Sequence, residues 1–111
     1  MNDNFSADPR VLYSIGRVTV DKSFHTQSGS EAFFSYFGNN VTYSIKRTID
    51  EEDFPRLEEC IAGAEVGTVR RTVIRMKGVN GLLRWVLASV RLIDETGEEP
   101  LYSIELSDVF S

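Results

Sequence analysis

The chain has one cysteine, Cys60, and one histidine, His25. These are the first candidates for nucleophilic or metal chemistry. A Cys–His dyad works only if the two meet in space and a third group orients the imidazole. Nothing local brings them together, because Cys60 falls within a helical pattern and His25 within a short strand pattern. One cysteine cannot close an internal disulfide, and no Cys-x-x-Cys pair offers ligands to zinc. No metal site is expected. No set of nucleophile, base and oxyanion donors can be assembled, so catalysis is not expected either. The cations Arg70, Arg71, Arg75 and Lys77 cluster, but the net charge of the 111 residues is −5. Nucleic-acid binding normally requires a basic face. On a strand these four would divide between two faces, which reads as a solvated sheet edge.

The elements that must carry these residues are legible from periodicity. Residues 1–10 are polar and aperiodic, and read as an N-terminal arm or linker. "VLYSIGRVTVD" alternates and is β-branched, which predicts a strand over Leu12 to Val20. Asp21 to Ser23 is a turn signal, and "FHTQ" completes a hairpin. Ser28 with Glu31 fits a capping box for a two-turn helix that carries Phe33, Phe34 and Phe37 and closes at Gly38. Val41 to Ile49 reads as a helical turn plus loop. "IDEEDFPRLEECIAGAE" is the strongest helix. Asp50 is expected to cap it, with Glu51, Glu52 and Asp53 in its first turn. Phe54, Leu57, Ile61 and Ala64 face a core, with Cys60 beside them. Gly63 and Gly67 end the helix. Three strands follow, Val66 to Lys77, Leu82 to Ile93 and Leu101 to Leu106, with turns at Gly78 to Gly81 and at "DETGEEP". The fold class is therefore α+β, a five-stranded antiparallel sheet with helices packed on one face.

Three segments give this order a family likeness. "IDEEDFPRLEE" resembles the acidic opening of the long helix in PAS domains, although the frequent His-Pro is absent. "GLLRWV" at Gly81 to Val86 resembles the Gly-x-x-Arg-Trp-Val of a PAS fourth strand. "LIDETGEEPLYSIELSDVFS" resembles the closing hairpin, whose Asp-Ile-Thr end stands here as Asp108-Val109-Phe110. The likeness to this PAS/PAC sensory family spans nearly all of residues 11–111. It implies a non-catalytic sensory or signal-relay domain joined at its end to a C-terminal effector, such as a diguanylate cyclase or a histidine kinase. It also implies that the apolar pair Val109 and Phe110 begins a connection. Antiparallel pairing should bring Arg84 to Asp108, where guanidinium and carboxylate can bond in bidentate fashion and pin the exit of the chain.

PAS domains often hold a small molecule between helices and sheet. Phe33, Phe37, Tyr43, Leu57, Cys60, Ile61 and Ile74 are the candidates to line such a pocket. The competing expectation is a filled core, since seven Phe and four Tyr are enough to occupy the same space. The resemblance gives no specific cofactor. The flavin branch's Asn-Cys-Arg-Phe-Leu-Gln motif is absent, and His25 lies on a strand rather than on the long helix where haem-binding relatives place their axial ligand. Neither flavin nor haem is expected.

In Leu82 to Ile93 both alternations are apolar. A sheet with one face in water does not look like this. Leu83, Trp85 and Leu87 are expected near the contact of a homodimer, or else under the N-terminal arm. A ligand-free homodimerisation or interaction module is the alternative to a sensor. No apolar run is long enough to span a bilayer and no signal-like start is visible, so a cytoplasmic location is expected.

Overall fold

The computed structural model describes residues 14–38, 43–94 and 99–109. Residues 1–10, read above as an arm, lie outside them. The strands are β1 (Ser14–Asp21), β2 (Thr26–Gly29), β3 (Arg70–Lys77), β4 (Leu83–Asp94) and β5 (Leu101–Asp108). The helices are α1 (Glu31–Phe37) and α2 (Phe54–Ala62), with a 3-10 turn at Lys46–Thr48. Among the described residues the five strands make one antiparallel sheet in the order β2-β1-β5-β4-β3. The C-terminal strand therefore runs through the middle, and β3 forms an edge.

Alternation sorts the sheet into two faces. Val18, Val20, Ile74, Met76, Val86, Ala88, Val90, Ile104 and Leu106 point inward and are buried. Phe33 and Phe37 of α1, Ile45 and Ile49, and Leu57, Cys60 and Ile61 of α2 cover them in one continuous cluster. Each fully buried side chain of this size contributes about 1.5–3 kcal/mol by leaving water.

The sequence-based boundaries need three corrections. Ser30 caps α1, not Ser28. Ser28 is paired with Thr19 in β2, so the helix cannot start until the strand has ended. The Ser30 hydroxyl accepts from the N–H groups of Phe33 at 3.2 Å and Arg17 at 3.0 Å, which ties the cap to β1. The second correction concerns Asp50. It does not cap α2, because Ile49 bridges to Met76 and the Asp50 N–H donates to the Arg75 carbonyl at 3.0 Å. The chain is thus held along the β3 edge until Asp50. Residues 51–53 form a turn, and α2 begins at Phe54 with Asp53 at its N-cap position. Finally, β3 starts at Arg70 rather than Val66, and β5 runs on to Asp108 rather than Leu106. The latter carries the last strand through the residue expected to act at the exit.

Gly16 fixes how closely α1 sits on the sheet. Its φ is +140°, and a Cβ there would stand 2.6 Å from the Phe33 backbone. Only glycine meets both demands.

Candidate functional site

Arg84 and Asp108 stand together at the end of the inner sheet face. Asp108 pairs with Val86, so Arg84, two residues along β4, is its diagonal neighbour. One guanidinium nitrogen, Nη2, lies 3.2 Å from each Asp108 carboxylate oxygen. The contact is therefore one nitrogen shared by two oxygens, not the two-pronged fork expected from the residue types. With side-chain exposures of 36% and 20%, such a pair contributes under about 1 kcal/mol to stability. Its interest lies in its connections. The Arg84 guanidinium also sits 4.9 Å from the ring centre of Tyr36, in the last turn of α1. The Tyr36 carbonyl accepts from Val79 N–H at 2.9 Å, which docks α1 on the β3–β4 turn. Tyr36, Arg84 and Asp108 thus form one chain of contacts from the helical cover to the end of the central strand. Sequence reading missed Tyr36. Its place beside the phenylalanine stripe, two residues before Gly38, marks it as a helix-end aromatic but does not reveal its partner.

Six of the seven candidate pocket residues, Phe33, Phe37, Leu57, Cys60, Ile61 and Ile74, are buried in the core cluster. Tyr43 is not among them. It is 76% exposed, and its pocket assignment is corrected. Its carbonyl accepts from Thr26 N–H, and Ser44 bridges to His25, so this stretch runs against the outside of the hairpin. Of the six, Phe37 reaches a surface cleft of about 280 Å³ beside Arg47 and Lys77. Three further clefts of about 540, 520 and 530 Å³ are lined by none of these six, and Tyr43 lines the second, a surface cleft outside the core.

The cysteine and the histidine are engaged separately. Burial pushes the Cys60 thiol up, with the nearby Arg70 acting in the opposite sense. His25 Nδ1 lies 3.2 Å from Asp21 Oδ2. Burial alone would raise the Asp21 pKa, but the N–H groups of His25 and Ser23 and the imidazole together hold it below the usual range. This is the carboxylate that closes the first hairpin. Among the described residues no group of three or more His, Cys, Asp or Glu could hold a metal.

A second charged site went unread in the sequence. Asp53 is 2% exposed, and its Oδ2 accepts from the Arg75 backbone N–H and from Arg75 Nε, each at 2.8 Å. Arg56 approaches its Oδ1 at 2.9 Å. The Arg75 hydrogen bonds hold the Asp53 carboxyl far below the ordinary range against the opposing effect of burial. Arg75 also reaches Glu52 at 3.1 Å and lies over the Trp85 ring, 5.0 Å from its centre. The basic edge strand and the acidic turn, noted separately in the sequence, are two halves of one clamp. Beside it, Ile49 and Asp50 occupy the Arg75–Met76 end of the β3 edge, where another chain would otherwise pair.

The outer face carries Leu83, Trp85 and Ile93, about half exposed, with Val73 beside them and Leu87 partly covered. Among the described residues no helix is long and apolar enough to cross a membrane.

No family model matches the chain, and no curated protein matches it in sequence. Solved structures match it in shape. A PAS domain of an HTR-like protein from Haloarcula marismortui superposes with a TM-score of 0.61 at 14% identity, covering 83% of this chain and 79% of that one. The PAS domain of the fruit-fly ELK potassium channel gives 0.64 at 13% identity, covering 86% and 87%. The LOV domain of a blue-light activated histidine kinase from Erythrobacter litoralis gives 0.61 at 14%, covering 88% and 97%. The chain has the PAS fold.

Proposed function

We propose that this PAS fold serves as a cytoplasmic sensory or relay domain, non-catalytic itself, that passes a ligand or partner signal to a covalently linked effector. The observation that carries the reading is the Tyr36–Arg84–Asp108 chain at the exit of β5. β5 is flanked by β1 and β4, so a distortion of either half of the sheet moves it. Arg84 is shared between the helical cover and the exit. A shift of α1 therefore changes how firmly the exit is held. A contact worth under about 1 kcal/mol suits a switch, because a signal can shift an equilibrium only by its differential affinity for two states, typically about 1–3 kcal/mol. One of the matching structures comes from a light-activated histidine kinase, which supports a histidine kinase as the effector ahead of a diguanylate cyclase. In the intact parent protein, Asp108→Ala is expected to change the effector's signal-dependent output several-fold. Output identical to wild type would remove the relay.

A specific surface favours a second reading, homodimerisation through the outer sheet face. Leu83, Trp85 and Leu87 sit together there beside Val73, an apolar patch of the kind that marks interfaces. Sedimentation is expected to show a concentration-dependent dimer that Trp85→Glu converts to monomer. A wild-type domain that stays monomeric at high concentration would end this reading. The two uses are compatible, since Arg84 and Asp108 lie on the opposite face.

A further inference from the structure

The cleft in front of Arg84 has the chemistry of a ligand site, and it is separate from the space between helices and sheet. Its volume is about 540 Å³, within the range of roughly 300–1,000 Å³ for small-molecule sites. One wall is apolar, made by Val79 and Leu82, both mostly exposed, and by half-exposed Leu83. The opposite wall is the end of α1, with the Tyr36 ring and Ser35.

The polar side chains facing it can each donate. Arg84 uses only Nη2 on Asp108, and its Nε and Nη1 have no hydrogen-bond partner among the described residues. The Ser35 and Tyr36 hydroxyls are likewise unpartnered among those residues. Asn80 Oδ1 accepts from Leu82 N–H at 3.0 Å, which leaves its amide nitrogen to donate. Arg84 is the only charged residue lining the cleft among the described residues. The turn that forms the floor is fixed by Gly78 N–H to the Leu82 carbonyl at 3.1 Å, and by Val79 N–H to Tyr36. The site is therefore built before any ligand arrives.

We propose that this cleft binds a small carboxylic acid with an apolar body. The carboxylate is held by an N–H of Arg84 that Asp108 does not use and by Asn80, and the body lies between Leu82 and the Tyr36 ring. A guanidinium N–H donating to a carboxylate makes a charge-assisted hydrogen bond, roughly twice as strong as a neutral one. The one charge among the described lining residues is positive, which favours an acid over its amide. The site goes beyond the relay reading and does not depend on it, because binding is measured on the isolated domain and the relay on a linked effector.

The test is a titration followed by NMR of the backbone amides and the Arg84 Nε–H. Phenylacetate, benzoate and hexanoate are the probes, each taken to about 10 mM, enough to detect a Kd near 1 mM. At least one acid is expected to shift Val79, Asn80, Leu82 and Arg84. Phenylacetamide should bind at least tenfold more weakly than phenylacetate. Arg84→Gln should weaken the acid at least tenfold. Asn80→Asp keeps the oxygen that accepts from Leu82, so the turn survives, and it should weaken the acid by a similar factor. The proposal is overturned if no acid shifts these residues, if acid and amide bind alike, if the shifts fall on the core around Cys60 instead, or if both variants bind as wild type does.

Discussion

Replacing Asp53 with alanine is expected to lower the stability of the domain by about 3 kcal/mol, the low end of the cost of breaking a buried ion pair. The low end applies because Arg75 and Arg56 keep 28% and 46% of their side-chain surface exposed and can turn to water. The loss has two parts. The Arg75 backbone N–H loses its acceptor, and the turn ahead of α2 loses its side-chain anchor on β3. For a domain of this size the midpoint of thermal unfolding should fall by roughly 10–15 °C. Acid should show the same dependence. The folded-state pKa of Asp53 lies below its ordinary value of 3.8. Its contribution is therefore complete above that value and is lost as the pH falls below it. Wild type should lose stability steeply below about pH 4, and Asp53→Ala should show a flatter acid limb. Urea unfolding at pH 7 and pH 3 measures both. A variant that unfolds like wild type at both values would show that the clamp holds nothing.

Gly16→Ala should be nearly as damaging, although it adds one methyl group. The added carbon would meet backbone atoms of Phe33 at 2.6 Å, and backbone cannot rotate aside as a side chain can. The φ of +140° adds strain for any L-residue with a Cβ. Overpacking costs about 1–3 kcal/mol, and an unfavourable φ adds about 1–3. A total near 3 kcal/mol follows from these ranges. The variant can relieve the clash only by lifting α1 off β1, which would also pull Tyr36 away from Arg84. Chemical denaturation is the measurement. A loss under about 1 kcal/mol would mean that α1 sits less tightly on the sheet than described.

How much of this was legible depended on distance along the chain. The alternation of Val86, Ala88 and Val90 against Trp85 and Leu87 is local, and it sorted the two faces of β4 correctly. Hairpins joined by short turns gave the antiparallel pairing. Asp53 was misread for a physical reason. An acid before Phe54 and Pro55 looks like helix-end chemistry, and its use as a partner for Arg75 depends on a strand 22 residues later. Ser28 and Ser30 are equally good caps by type, and only the length of β2 decides between them. Tyr43 looked like a core aromatic until the pairing of its backbone with Thr26 was known. Arg84 and Asp108 were legible as neighbours because strand pairing fixes their separation. The role of Tyr36 between them was not, since it arises from packing across the fold.

The central claim is that Arg84 and Asp108 act as one unit at the exit of β5. The most direct measurement is a double-mutant cycle on the output of the intact parent, using Arg84→Ala, Asp108→Ala and the pair. Each single variant should change signal-dependent output to a similar extent, and the double variant should add nothing further. Output that stays at the wild-type level in all three, or single effects that simply sum in the double variant, would contradict the account.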